Sequence, residues 1–374
     1  MKCPLRGTKE SALKYIKENL FDSFRCTAAD CQETCCAGWQ IVIDEASLKR
    51  YKRLKGDFAS RLLKSIDWDE GSFLQNAGRC SMLRDDGLCD MCIELGEESL
   101  CDTCREYPRH TEEYEGIREL SLSLSCPVAA RMILSASSVD LTEYGTDEEE
   151  PYAEDFKDFD LMLFTVLTDL RAVFLDITGD DATDIYDKLS LITSVSREAE
   201  RLWDEGDIAG IGSLLDGPSY PVFTPCSGFD LIKKYFLIFN EMETLSDEFP
   251  SLRQETYDTL YEGGPENYER ITQDFNSYIN GEGLFIKKAA ANILTSFIFL
   301  WTCGAVYDYY IYARAAMAAF MTFQILEFIK ALRIRNGFDP GLDDCVRITC
   351  GITREIEHSD DNMNVLIKAL DELK

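Results

Sequence analysis

CTAADCQETCCAGW, residues 26–39, and GRCSMLRDDGLCDMCIELGEESLCDTCREYPRH, residues 78–110, decide how the N-terminal third of this chain folds. The first stretch supplies Cys26-x4-Cys31-x3-Cys35-Cys36 and then Trp39. The second supplies Cys80, Cys89, Cys92, Cys101 and Cys104, and Cys126 follows within SLSLSCPVAAR. With Cys3, that puts eleven of the 15 cysteines before residue 127. A lone cysteine reads as a small buried hydrophobe. That reading suits Cys303, in an apolar run, and Cys226, Cys345 and Cys350, but not eleven thiols crowded together. The opening MKCPLRGTKESALKYIKENL has no apolar signal-peptide core. A cytoplasmic location with reduced thiols is therefore expected, and the clustered cysteines read as metal ligands.

Thiolates are soft donors that suit iron–sulfur clusters or zinc. Cys89-x2-Cys92 and Cys101-x2-Cys104 have zinc-knuckle spacing. Against a single zinc stands the adjacent pair Cys35-Cys36, since neighbouring thiols rarely share one tetrahedral ion. A larger cluster, or two centres, fits that pair better. Gly38 stands where the third cysteine of a radical S-adenosylmethionine triplet would be.

Working outward, residues 1–25 read as a short leading helix. Residues 1–135 form a loop-rich cysteine module with turns at Asn76-Ala77-Gly78 and Asp85-Asp86-Gly87, and Asp44 can cap a helix running through Leu48, Tyr51 and Leu54. Residues 136–160 hold Asp147-Glu148-Glu149-Glu150-Pro151 and read as an acidic connection. Residues 161–374 carry helical periodicity and read as an all-helical domain, so the fold class is mainly α. No alternation is long enough for a convincing strand. Ala289–Val306 has no charge, and a second apolar segment follows Arg314. These are expected to be central helices of a soluble body rather than a membrane hairpin, because Asn292, Thr295, Ser296 and Thr302 interrupt the first and the flanks are polar.

The net charge of −30 argues against nucleic acid and anionic lipid as partners and suits a lysine-bearing protein. Only His110 and His358 are histidines, which excludes chemistry needing several imidazoles. No dinucleotide or phosphate-binding glycine loop is present, and Gly206-x3-Gly210-x-Gly212 reads as a turn.

As a set, these motifs resemble the flagellin lysine N-methylase family, within a wider group of cysteine-rich zinc- or iron-chelating proteins. The matching elements are Cys26-x4-Cys31-x3-Cys35-Cys36-x2-Trp39, Cys80-x2-Leu83, Gly87-Leu88-Cys89, Leu95-Gly96-Glu97-Glu98, Cys104-Arg105-x-Tyr107-Pro108-Arg109 and Ser123-Leu124-Ser125-Cys126-Pro127-x-Ala129-Ala130-Arg131. The resemblance implies metal ligation by Cys26, Cys31, Cys35, Cys36, Cys80, Cys89, Cys104 and Cys126, with Cys92 and Cys101 as extras. It also implies a [4Fe–4S] cluster and methyl transfer from S-adenosylmethionine to flagellin lysines. Eight thiols exceed what one cluster needs. Arg105, Tyr107 and Arg109 are candidates for binding the donor's carboxylate or for packing over the metal. Trp39 reads as an apolar cover. No catalytic base can be named at this level. Two other functions stay open: a metal-chelating or electron-transfer protein without methylase activity, and a structural zinc scaffold.

Overall fold

A computed structural model describes residues 12–31, 33–149, 156, 158–216 and 228–374. Cys3, Cys226 and residues 150–155 of the acidic connection lie outside them. Mainly α is the observed class, and every described element after residue 160 is a helix.

The helices begin where side chains satisfy their first free N–H groups. Asp160 accepts from Leu163 N at 2.9 Å to start Leu161–Gly179. Asp184 starts Ile185–Asp204, and Ser359 starts Asp360–Glu372. On Leu161–Gly179, Leu163, Phe164, Leu167, Leu170 and Phe174 are all buried, the i, i+3, i+4 stripe expected of a core helix. At the centre stand Leu284–Trp301 and Ile311–Asn336. Both are long and apolar enough to cross a membrane, yet 83% and 94% of their most apolar stretches are buried inside the molecule. A buried ion pair there is satisfied by protein: Lys330 meets Glu327, whose Oε2 also accepts from Tyr261 and Tyr268 at 2.8 and 3.0 Å.

Strands appear where none were expected. Strands β1 (Ala12–Glu18), β2 (Arg109–Tyr114), β3 (Ile117–Leu122) and β4 (Leu141–Glu149) form one sheet in the order β2-β3-β1-β4. The leading helix is thus corrected to a strand over residues 12–18, and the acidic connection is a strand over residues 141–149. β1 pairs parallel with β3 and antiparallel with β4, so its partners lie over a hundred residues away. Such pairing overrides local propensity. β4 is an edge strand, where charged side chains are tolerated and discourage further pairing. Glu143 meets Lys14 at 2.7 Å, and Tyr144 stacks on Tyr15 with centroids 5.3 Å apart. β2 and β3 form a hairpin whose turn uses Gly116 at φ +72°.

In the cysteine module, Asp44 does cap a helix, Glu45–Tyr51, accepting from Ser47 N at 2.8 Å. That helix stops short of Leu54, and a second, Asp57–Lys64, starts after Gly56 at φ +105°. A small core of Ile41, Ile43, Tyr51, Leu62, Phe73 and Met91 lies beneath the loops. Ala77 and Gly78, and Gly87, take left-handed conformations at the two turns the sequence marked. The larger core runs from Phe24 through Tyr114, Leu122 and Ile133 into the helical body.

Candidate functional site

The described residues contain thirteen cysteines, all free. Backbone pairing gathers one group: Cys80 N donates to Cys36 O at 2.8 Å, and Leu83 bridges to Cys89. Cys89 and Cys101 each immediately precede a short helix, so the three-residue spacing sets Cys92 and Cys104 on the same face as their partners. Cys36, Cys80, Cys89, Cys101 and Cys104 all pack into the small core.

A second group lies at the seam with the helical body. Cys31 Sγ faces Glu33 O at 3.4 Å, and Cys350 Sγ faces both Glu33 Oε2 at 3.3 Å and Ser125 O at 2.8 Å. Arg354 ties the same carbonyls together, donating to Ser125 O and Glu33 O at 2.8 Å each. Cys126 follows Ser125, and the Cys35 thiol is raised by its hydrogen bond to Cys36, then by burial, with smaller contributions from Cys26 and Cys126. Among the eight family cysteines, Cys36, Cys80, Cys89 and Cys104 thus lie with the small core and Cys26, Cys31, Cys35 and Cys126 toward the seam, the two sets meeting at the hydrogen-bonded thiols of Cys35 and Cys36.

Within the adjacent pairs one thiol stabilises its neighbour as thiolate. Hydrogen bonding from Cys35 lowers Cys36, Cys92 lowers Cys89 to about 6, and Cys104 lowers Cys101. Cys35, Cys92 and Cys104 are raised correspondingly. Reduced sulfur with ready thiolate character is the right donor for iron–sulfur or zinc. Even so, among the described residues no three His, Cys, Asp or Glu side chains stand close enough together to hold an ion.

Beside the second group lies a cleft of about 590 Å³ between the cysteine module and the helical body. Its aromatic wall is Trp39, Tyr107 and Trp301. Trp39 Nε1 donates to Cys35 O at 2.7 Å, which anchors the ring to the cysteine loop. The same ring lies 4.5 Å from His358 and 5.7 Å from Tyr107, centroid to centroid. Its polar wall includes Glu106, Glu112, Glu357 and Asp360, with Arg109 and Arg314. Arg314 is held by Asp308 at 2.6 Å.

Of the three residues proposed for the donor, Tyr107 and Arg109 line this cleft. Arg109 donates to Phe24 O at 3.2 Å and lies over the Phe21 and Phe24 rings. Arg105 is instead paired with Asp102 and Glu106 at the surface and does not line the cleft. The glycines after Trp203 form a turn at Gly206 and then enter the helix Ile208–Asp216.

A chain of hydroxyls crosses the cleft floor. Tyr107 Oη lies 3.0 Å from Ser125 Oγ, Ser125 Oγ lies 2.5 Å from Ser123 Oγ, and Ser123 donates to Glu357 Oε2. His358 Nε2 also reaches Ser125 Oγ, at 3.1 Å. Burial raises Glu357 to about 7, opposed by Ser123 and by charge on His110. Burial, then the Arg354 charge, lowers His358 to about 3, so its imidazole is neutral at physiological pH. Sequence reasoning set both histidines aside and missed Glu357. Ser123 and Ser125 stood inside a quoted motif with no role, and nothing in IEHS shows that Glu357 and His358 face them.

The FliB lysine N-methylase C-terminal domain matches residues 171–374, the helical body that supplies Trp301, Glu357 and His358. The chain is 34% identical over 131 residues to a lysine-N-methylase of Salmonella choleraesuis, covering 32% of each protein. It is 31% identical over 130 residues to a lysine-N-methylase of Salmonella typhimurium, again 32% of each. It is 34% identical over 122 residues to the flagellar biosynthetic protein FliU of Salmonella muenchen, covering 30% of this chain and 72% of that one. The chain thus matches about a third of the length of the two lysine-N-methylases. No solved structure matches it.

Proposed function

Because the chain belongs to the FliB lysine N-methylase family, we propose that it is a protein lysine N-methyltransferase that uses S-adenosylmethionine and acts on flagellin in the cleft beside Cys35 and Cys126. The observation that carries this reading is the cleft's composition. Trp39, Tyr107 and Trp301 suit the aliphatic stem and cation of a lysine, and Glu106, Glu112, Glu357 and Asp360 attract its ammonium. In the reaction the lysine amine, once neutral, attacks the sulfonium methyl carbon in line. The C–N bond forms as the C–S bond breaks to leave a thioether. Alignment and exclusion of water account for much of the acceleration. Arg109, which lines the cleft, would hold a carboxylate of the donor.

For the metal, donor chemistry supports a [4Fe–4S] cluster, with zinc as the alternative, and the two groups of four thiols are the residues that would hold it. Bound metal would supply cross-links between loop segments, bracing the wall that carries Trp39.

The test is incubation of anaerobically purified protein with methyl-labelled S-adenosylmethionine and flagellin. Label on lysine, located by peptide mass spectrometry, is expected. A full metal complement with no label on lysine would instead favour a metal or electron-transfer protein.

A further inference from the structure

Methyl transfer needs a neutral amine, yet an ordinary lysine near 10.4 is almost wholly protonated at pH 7. The cleft must therefore take a proton from its substrate. Resting on the methyltransferase reading above, we propose that Glu357 accepts this proton through the hydroxyls of Tyr107, Ser125 and Ser123.

Geometry carries the assignment. The four groups form one continuous hydrogen-bonded line from the aromatic wall to the carboxylate, and all four residues line the cleft. Glu357 Oε1 is shut off from bulk solvent and has no hydrogen-bond partner among the described residues. A purely structural carboxylate is expected to have both oxygens satisfied, so this one retains unused accepting capacity.

The valences along the line close. Ser123 Oγ accepts from Ser125 Oγ and from Ser125 N at 3.1 Å, and donates to Glu357 Oε2. Ser125 Oγ then accepts from Tyr107, so His358 must donate to it from Nε2. A neutral imidazole protonated at Nε2 does this and pins the junction. During transfer the lysine N–H proton passes to Tyr107 Oη as the Tyr107 proton moves to Ser125. The Ser125 proton moves to Ser123, and the Ser123 proton to Glu357. Each oxygen loses one proton and gains one, the carboxylate becomes a carboxylic acid, and the amine keeps the lone pair that attacks the methyl carbon.

Charges around Glu357 fit an acceptor working near neutrality. The charge on His110 of β2, itself held by Glu112 at 2.7 Å, favours the Glu357 carboxylate, and Glu357 in turn raises Glu18 on β1 after burial has done so. On its own helix, Arg354 turns toward Ser125 O and Glu33. Across the cleft stand Asp360 and the paired Arg314. His358, at about 3, is too weak a base for the task, and burial holds Tyr107 well above its usual range.

The test compares wild type, Glu357→Gln, Glu357→Asp and Ser123→Ala on a flagellin substrate across pH 5.5–9.5. Binding of S-adenosylmethionine and flagellin is measured separately. Wild-type kcat should rise to a plateau with a midpoint near 7. Glu357→Gln and Ser123→Ala should each lose about 10²- to 10⁴-fold in kcat at pH 7 with S-adenosylmethionine binding unchanged. Both variants should recover steadily toward pH 9.5 as the amine loses its proton unaided, and Glu357→Asp should restore part of the rate. Ser123→Ala keeps the test open if Glu357→Gln does not fold. Wild-type kcat and pH dependence in a folded Glu357→Gln or Ser123→Ala would overturn the proposal. Failure of the wild type itself to methylate lysine would overturn the methyltransferase reading instead.

Discussion

Trp39, in the cysteine loop, packs against His358, near the C-terminus, with ring centroids 4.5 Å apart and a 32° tilt. Trp39 Nε1 is anchored on Cys35 O and His358 Nε2 on Ser125 Oγ. This contact fastens the cysteine loop to the helical body. Trp39→Ala should cost about 2 kcal/mol, less than full burial of a tryptophan would imply because the ring is half-buried. Trypsin cleavage after Arg25 should accelerate. Trp39→Phe should recover most of both, and urea unfolding with timed proteolysis checks this.

Arg171 and Glu119 join sheet to helices. Arg171 donates to both Glu119 oxygens, at 2.5 and 2.6 Å, with the two side chains 5% and 3% exposed. Removing one partner leaves a buried charge alone. Arg171→Met should therefore destabilise by about 3–5 kcal/mol. The double variant Arg171→Met/Glu119→Leu should lose less than the sum of the two singles. Denaturant midpoints of all four proteins decide.

His358 should make the fold sensitive to acid. Its folded pKa, about 3, lies below the unfolded value. Its contribution is thus fully present above about 6.5 and is lost as pH falls toward 3. Glu357, raised to about 7, works in the opposite sense, favouring the fold as pH falls from about 7. The wild-type-minus-His358→Asn difference in stability isolates the histidine. It should shrink between pH 6.5 and 3, and a flat difference would refute the assignment.

Metal content should follow the two groups of four thiols. Cys36→Ser or Cys126→Ser should cut iron and acid-labile sulfide in anaerobically purified protein, whereas Cys92→Ser and Cys303→Ser should leave both unchanged. Chelation should loosen residues 26–104 and spare most of the helical circular dichroism, because most of the larger core is contributed by helices after residue 160.

Much of the fold was open to reading from local pattern. The Phe164–Leu167–Leu170–Phe174 stripe, the Asp44 cap and the turns at Gly78 and Gly87 depend on neighbours within a few residues. The strand at Ala12–Glu18 was not readable, because ALKYIKE pairs only with segments beyond residue 116. The acidic run over 141–149 hid a strand for a related reason: an edge position tolerates the charge that elsewhere marks a linker. Of that motif, Tyr107 and Arg109 line the cleft, whereas Arg105 lies outside it, since its neighbours Asp102 and Glu106 draw it to the surface.

Residue identity and local periodicity settled the helical body and the soft-donor character of the N-terminal third, because helix stripes and thiol chemistry depend on what is written within a few turns. Only packing decided that β1 lies beside β3, that Trp39 meets His358, and that Ser123 hands a hydrogen bond to Glu357. Those meetings join distant segments, and the burial they create shifts a carboxyl to about 7 and an imidazole to about 3. Desolvation belongs to the folded surroundings of a group and cannot be written into the residue itself.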